Sequence, residues 1–205
     1  RFFESRIFRL SSKSSHNNSV DHNSLVHMEA LPTNLCELVS AATADAAADA
    51  PTIGVLALQG GYHEHMVMLA RLGCVVTEIR QAVDMETSYD GLVIPGGEST
   101  TMGHLAARLN LLEPLRAYVT SGRPVMGTCA GLIFLADFVD GQKEGGQTLI
   151  GGLDVQVRRN FFGSQIDSFE TKLPCDVPGD ESDDKDFRAI FIRAPAILSA
   201  GPGVE

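Results

Sequence analysis

The sequence predicts an α/β fold of three layers, a mostly parallel sheet flanked by helices. Three observations carry that prediction. Uninterrupted apolar runs of strand length mark strands buried on both faces. Segments of helical spacing alternate with those runs, as crossovers between parallel strands require. Glycine-bearing turns close three of the runs, at Gln59-Gly60, Gly96-Gly97 and Gly127 to Gly131, and open parallel sheets bind ligands at such ends.

Taken in order, residues 53–58 are the first run, ended by Gln59-Gly60-Gly61. Residues 62–72 place apolar side chains at 62, 66, 69, 70 and 72 and stop at Gly73, which predicts a helix. Residues 74–79 and 89–94 are the second and third strands, the third running into Pro95-Gly96-Gly97. Ser99 or Thr100 is the expected cap of a helix reaching residue 109. Another helix covers residues 112–120 and ends at Gly122. Strand 124–128 follows, then a helix through the apolar run 132–136. Beyond Gly145-Gly146 the texture changes, and residues 153–157, 165–169 and 188–193 predict shorter, partly antiparallel strands. Residues 174–186 hold Asp176, Asp180, Glu181, Asp183, Asp184 and Asp186 without the spacing of a calcium loop, so a solvated acidic loop is expected.

A chain of 205 residues can bury one sizeable core. Its formal net charge of -10 argues against nucleic acid or an anionic membrane as the main partner. No apolar run is long enough to span a bilayer as a helix. The four cysteines, Cys36, Cys74, Cys129 and Cys175, show no CxxC pairing, so neither a metal site nor a disulfide framework is suggested. A reducing, cytoplasmic setting is the simplest expectation. Residues 1–50 stand apart. Arg1, Arg6, Arg9 and Lys13 face the single acid Glu4 among six serines in the first twenty positions, a composition resembling an organelle transit peptide. The chain opens on Arg1 rather than Met, which favours a partial or mis-started product over a targeting segment. Residues 1–50 are therefore expected to be a disordered or targeting-like extension, tethered through the Ala-rich stretch 41–50, and residues 51–205 the folded domain.

The chemistry centres on Gly127-Thr128-Cys129-Ala130-Gly131, between a short strand and a helix. A cysteine at the apex of so tight a turn needs small neighbours, and the following helix points its N-terminal amides toward the sulfur, a setting that suits an acyl-transfer nucleophile. A buried cysteine at a strand end fits the pentapeptide equally well. Pro95-Gly96-Gly97-Glu98-Ser99 lacks the lysine of a phosphate loop but offers free N–H groups that can hold an oxyanion or a carboxylate. His63 and His65, two apart on a helix, face different ways, and His104 lies on an exposed face. All three are expected at the surface, leaving no histidine to pair with Cys129. Arg159 and Arg193 lie near strand ends, where a guanidinium can grip a carboxylate or form a surface ion pair.

The order LALQG (56–60), PGGESTT (95–101), GTCAG (127–131), RRNFFGSQIDSFE (158–170) and FIRAP (191–195) resembles the glutaminase subunits of pyridoxal 5′-phosphate synthase, the Pdx2 family of class I glutamine amidotransferases, whose fold is flavodoxin-like. GQKEGGQ (141–147) is similar to the plant-type branch. The resemblance covers residues 52–205. It implies that Cys129 attacks the side-chain amide of L-glutamine and that the N–H groups of Gly97 and Ala130 form the oxyanion hole. It places Gly97, Glu98, Ser99, Arg159, Ile192 and Arg193 around the substrate, and makes Gln59 and Gly60 a switch linked to the partner. That partner would be the synthase subunit, a (β/α)₈ barrel in a large hetero-oligomer, which receives ammonia for vitamin B6 biosynthesis. No cofactor or metal is implied for the small subunit. The family completes its triad with a His-x-Glu motif after FIRAP, and none follows here before Glu205. A C-terminally incomplete domain is expected, either a fragment or a truncated form that docks on the synthase without catalysis. A cysteine enzyme of the DJ-1/PfpI type also uses a nucleophile elbow on a similar fold, but PGGEST and RRNFFGSQ speak against it.

Overall fold

The computed structural model describes residue 39 and residues 46–141, 146–174 and 186–204. Four strands, β1 (Thr52–Leu56), β2 (Val75–Ile79), β3 (Gly91–Ile94) and β4 (Val125–Gly127), make a parallel sheet in the order β2-β1-β3-β4. The chain steps from β1 outward to β2, then returns to lay β3 on the other side of β1. The direction of winding therefore reverses between β1 and β3, and a crevice opens at such a point above the carboxyl ends of the strands.

The unbroken apolar character of β1 and β3 follows from burial on both faces. Leu56, Leu92 and Ile94 point to one side, into a cluster with Met102, Ala106, Leu111, Leu115 and Phe134. Ile53, Val55 and Val93 point to the other, against Met66, Ala70 and Cys74, and Val39 packs on that cluster. Helix α1 (Tyr62–Arg71) covers the second face. Helices α2 (Ser99–Arg108) and α3 (Leu112–Thr120) cover the first. Helix α4 (Ala130–Leu135) follows the cysteine turn and packs on β3 and β4.

The remainder is a three-stranded sheet and a hairpin. Strands β5 (Ala136–Asp140) and β6 (Leu153–Arg158) run parallel, and β9 (Ala196–Ala200) pairs antiparallel with β6. Strands β7 (Phe169–Pro174) and β8 (Asp186–Phe191) form an antiparallel pair. The change of texture after residue 146 is thus a change from parallel to mixed pairing.

Four expectations need correction. Residues 165–169 are not a strand: Gln165–Asp167 is a 3₁₀ turn, because Asp167 accepts hydrogen bonds from the Ser164 N–H (2.8 Å) and hydroxyl (2.7 Å), and the strand starts only at Phe169. Neither Ser99 nor Thr100 caps α2; Glu98 occupies the cap position without a side-chain bond, and Ser99 is buried in the first turn. The helix after the cysteine stops at Leu135 and passes into β5 without a loop. Pro174 and Asp186, expected in the acidic loop, are instead the paired ends of β7 and β8; positions 175–185, nearly all of the N-terminal extension and positions 142–145 of GQKEGGQ lie outside the described residues. Among the described residues, no helix is long and apolar enough to cross a membrane.

Candidate active site

The site is built from three turns at the carboxyl ends of β1, β3 and β4. In the last of them Cys129 is exposed and adopts φ 48°, ψ -101°, a conformation that side chains normally avoid. The turn closes through the Thr128 N–H, which donates to the Ile94 carbonyl (3.1 Å), and the Gly131 N–H, which donates to the Thr128 carbonyl (2.8 Å). Glycine at 131 is dictated by contact, since a methyl there would run into the Ile94 carbonyl. The strand–elbow–helix geometry expected from the pentapeptide is therefore present, with the sulfur at its apex.

The β3 turn lies directly against the elbow. A methyl placed on Gly96 would lie 3.4 Å from Cys129 Cβ and 3.6 Å from the Thr128 carbonyl oxygen. Gly97 has φ 146°, and the Gln59 side chain fills the space where a Cβ would stand. The Glu98 N–H donates to Gln59 Oε1 (2.7 Å), and the Gly61 N–H donates to the Gly96 carbonyl (3.2 Å), so the β1 and β3 turns are latched together. Gln59 Nε2 is buried without a hydrogen-bond partner. Ala130, next to the cysteine, is buried at the start of α4.

Charge enters from the second half of the chain. Arg193 Nη1 donates to Glu98 Oε1 (2.9 Å), and Arg159 Nη2 lies 3.9 Å from Glu98 Oε2. Arg159 Nη1 also donates to Thr100 Oγ1 (3.2 Å) and to Gln147 Oε1 (3.1 Å), which accepts in addition from the Ser99 hydroxyl (3.3 Å). Four described non-glycine residues have positive φ. Two are asparagines, which tolerate it; the others are Cys129 and Arg193, both at this site. Ile192, beside Arg193, is exposed.

The family follows from sequence as well as from geometry. Residues 55–204 match the SNO glutamine amidotransferase family. The chain belongs to that family. A relative named probable pyridoxal 5′-phosphate synthase subunit PDX2, from Arabidopsis thaliana, is 57% identical over 155 residues, 75% of this chain and 60% of that protein. A pyridoxal 5′-phosphate synthase subunit PdxT from Parafrankia sp. is 54% identical over 157 residues, covering 76% of this chain and 74% of the relative. A solved structure described as a glutamine amidotransferase superposes with a TM-score of 0.64 at 42% identity, over 75% of this chain and 77% of its own. The chain spans less than two thirds of the length of the Arabidopsis relative.

Within this amidotransferase fold the turns of Gln59-Gly60, Gly97 and Cys129, far apart in sequence, meet at one place, and Glu98, Ser99, Arg159 and Arg193 join them. Two members of the constellation carry no expected site role from the sequence. Gln147 arrives on a distant connection, and no local pattern marks it. His65 was expected at the surface, yet it is half-buried and its Nε2 lies 3.2 Å from Thr128 Oγ1. The signal for it existed. His65 shares a helical stripe with Tyr62 and Leu69, both packed on the core, and a polar group on such a stripe needs a partner. Burial pushes the imidazole below the ordinary histidine range, against the opposing charge of Glu64. His104 is exposed, as expected. Among the described residues no group of three or more His, Cys, Asp or Glu side chains could hold a metal ion.

Proposed function

We propose that the chain is the glutaminase subunit of a pyridoxal 5′-phosphate synthase, releasing ammonia from L-glutamine at Cys129. The observation that carries this reading is the meeting of a strained cysteine elbow with the Gly96-Gly97 turn and an Arg159–Glu98–Arg193 cluster. Each part matches one feature of the substrate. The elbow presents a nucleophile to the side-chain amide. Glu98 can accept from an α-ammonium group, and the two guanidinium groups can donate to an α-carboxylate, so together they suit a free amino acid.

The steps balance without a redox partner. The Cys129 sulfur, having lost its proton to a base, adds to the amide carbon, and the carbonyl oxygen becomes an oxyanion. The N–H groups of Gly97 and Ala130 would hold that charge; donors of this kind are worth about 3–4 kcal/mol each. Collapse expels the amide nitrogen, which takes up a proton and leaves as ammonia. Water then cleaves the glutamyl thioester to glutamate and regenerates the thiol. The family pattern assigns the base to a His-x-Glu motif, which has no counterpart among the described residues. The ammonia is consumed on the synthase partner. The Gln59-Gly60 turn, latched to Glu98 with an unsatisfied buried amide, fits a loop that docking rearranges.

The test joins the chain to the His-x-Glu segment of a relative, adds synthase subunit and L-glutamine, and measures glutamate. Cys129→Ala is expected to abolish release; release unchanged by that substitution would sink the assignment. A second reading, docking on the synthase without catalysis, is favoured by one observation: among the described residues no histidine bonds to the Cys129 sulfur. It expects the 205-residue chain to capture the synthase subunit in a pull-down while releasing no glutamate. The family match supports either glutamine-linked reading over the DJ-1/PfpI alternative.

A further inference from the structure

We propose that His65 is a positioning residue for the Cys129 nucleophile, acting through the Thr128 hydroxyl. The inference rests on the reading of Cys129 above. The contact is specific: His65 Nε2 lies 3.2 Å from Thr128 Oγ1, across 63 residues of sequence. Thr128 is the residue immediately before the apex, and both of its backbone polar groups are already used, the N–H on Ile94 and the carbonyl on Gly131. Its side chain is the remaining handle by which a neighbouring element can hold the elbow. The hydroxyl also borders the β3 turn, since a methyl on Gly96 would stand 3.9 Å from Thr128 Oγ1 and 3.4 Å from Cys129 Cβ.

The handle belongs to α1, and this gives it more than a packing role. Helix α1 begins directly after the Gln59-Gly60-Gly61 turn, and that turn is itself hydrogen-bonded to the Gly96 carbonyl. The helix is therefore tied at its start to one wall of the site and, through His65, to the nucleophile. A shift of the 59–61 turn carries α1 with it and is felt at Thr128. A strained apex persists only where its surroundings over-determine it, and this bond is part of that determination. Burial keeps the imidazole neutral near pH 7, so Nε2 is either a clean acceptor or a clean donor toward the hydroxyl. The bond runs to Thr128, which separates positioning from proton transfer: an amide at the place of Nε2 does the first and not the second.

The test uses the full 205-residue chain and follows labelling of the Cys129 peptide by mass spectrometry. Two reagents are compared, a glutamine-shaped chloroketone and iodoacetamide, on wild type, His65→Gln, His65→Leu, Thr128→Val and the His65→Leu/Thr128→Val double variant. Thr128→Val and His65→Gln keep the local volume, and circular dichroism checks the fold of every variant. Chloroketone labelling is expected to slow roughly five- to tenfold in His65→Leu and in Thr128→Val, with no further loss in the double variant and with His65→Gln within about twofold of wild type. Additive losses, unchanged rates, or a His65→Gln variant as slow as His65→Leu would each overturn the proposal, the last pointing to proton transfer instead. Failure of the glutaminase reading looks different. Wild-type Cys129 would then show no preference for the chloroketone, and the same double-variant comparison, read with iodoacetamide, would still decide whether His65 holds the elbow.

Discussion

At the scale of single residues, contact distances make sharp demands. Gly131 faces the Ile94 carbonyl at a separation that admits no side chain. Gly131→Ala is expected to destabilise the protein by about 1–3 kcal/mol, the usual cost of overpacking a fixed site, read as a lower urea midpoint. Arg159 divides its guanidinium among Thr100, Gln147 and Glu98. Lysine keeps the charge and loses the fork, so Arg159→Lys should weaken L-glutamine binding roughly tenfold, about 1.4 kcal/mol, in titration calorimetry. An unchanged affinity would remove Arg159 from the substrate site. The gathering of Cys129, Gly97, Arg159 and Arg193 was legible because each stands at a turn or strand end of recognisable residue type. His65 and Gln147 were not, because their importance lies in partners 63 and 12 residues away.

At the scale of elements, α1 carries a pH signature. The folded state holds the His65 proton less tightly than the unfolded chain, because burial disfavours the cation. Stability from this group is complete above the ordinary histidine value of 6.5 and drains away as pH falls through the lowered folded value. The stability gap between wild type and His65→Gln should therefore narrow from pH 7.5 toward pH 5.5 in urea melts, and a gap that widens would contradict the assignment. The β7–β8 hairpin rests on aromatic stacking instead, with the rings of Phe169 and Phe191 4.8 Å apart and Phe162 against both. Strands β1 and β3 were readable because burial on two faces writes unbroken apolar runs, and helices α1 to α3 because one buried face writes a helical stripe. The 3₁₀ turn at Gln165–Asp167 was misread as strand because a local carboxylate–hydroxyl contact overrode the apolar–polar alternation. The β9 strand escaped notice for a related reason: four of its five residues are exposed, so no apolar pattern announces it.

For the whole molecule, the two faces of the sheet share the load. Phe134, fully buried, stands where α4 meets the cluster beneath α2 and α3. Phe134→Ala should cost about 3–5 kcal/mol and disturb the elbow apex five residues upstream, so denaturant melts and Cys129 labelling should change together. The parallel core was legible from the alternation of runs and turns. The pairing of β5, β6 and β9 was not, because pairing partners are a property of the folded chain. The register of the sheet has a further consequence. Ile94 is opposite Gly127, so the last residues of β3 and β4 are level and the two turns leave the sheet side by side. A strand advances about 3.3 Å per residue, and a slip must be two residues to keep the buried faces buried. The smallest permitted error in pairing would then carry the sulfur roughly 6–7 Å along the sheet, well beyond bonding reach of its neighbouring turn. The sheet thus acts as a ratchet with coarse teeth: the two turns are either aligned or wholly apart. The count of residues from Val125 to Cys129 therefore sets where the sulfur stands against the Gly96-Gly97 turn.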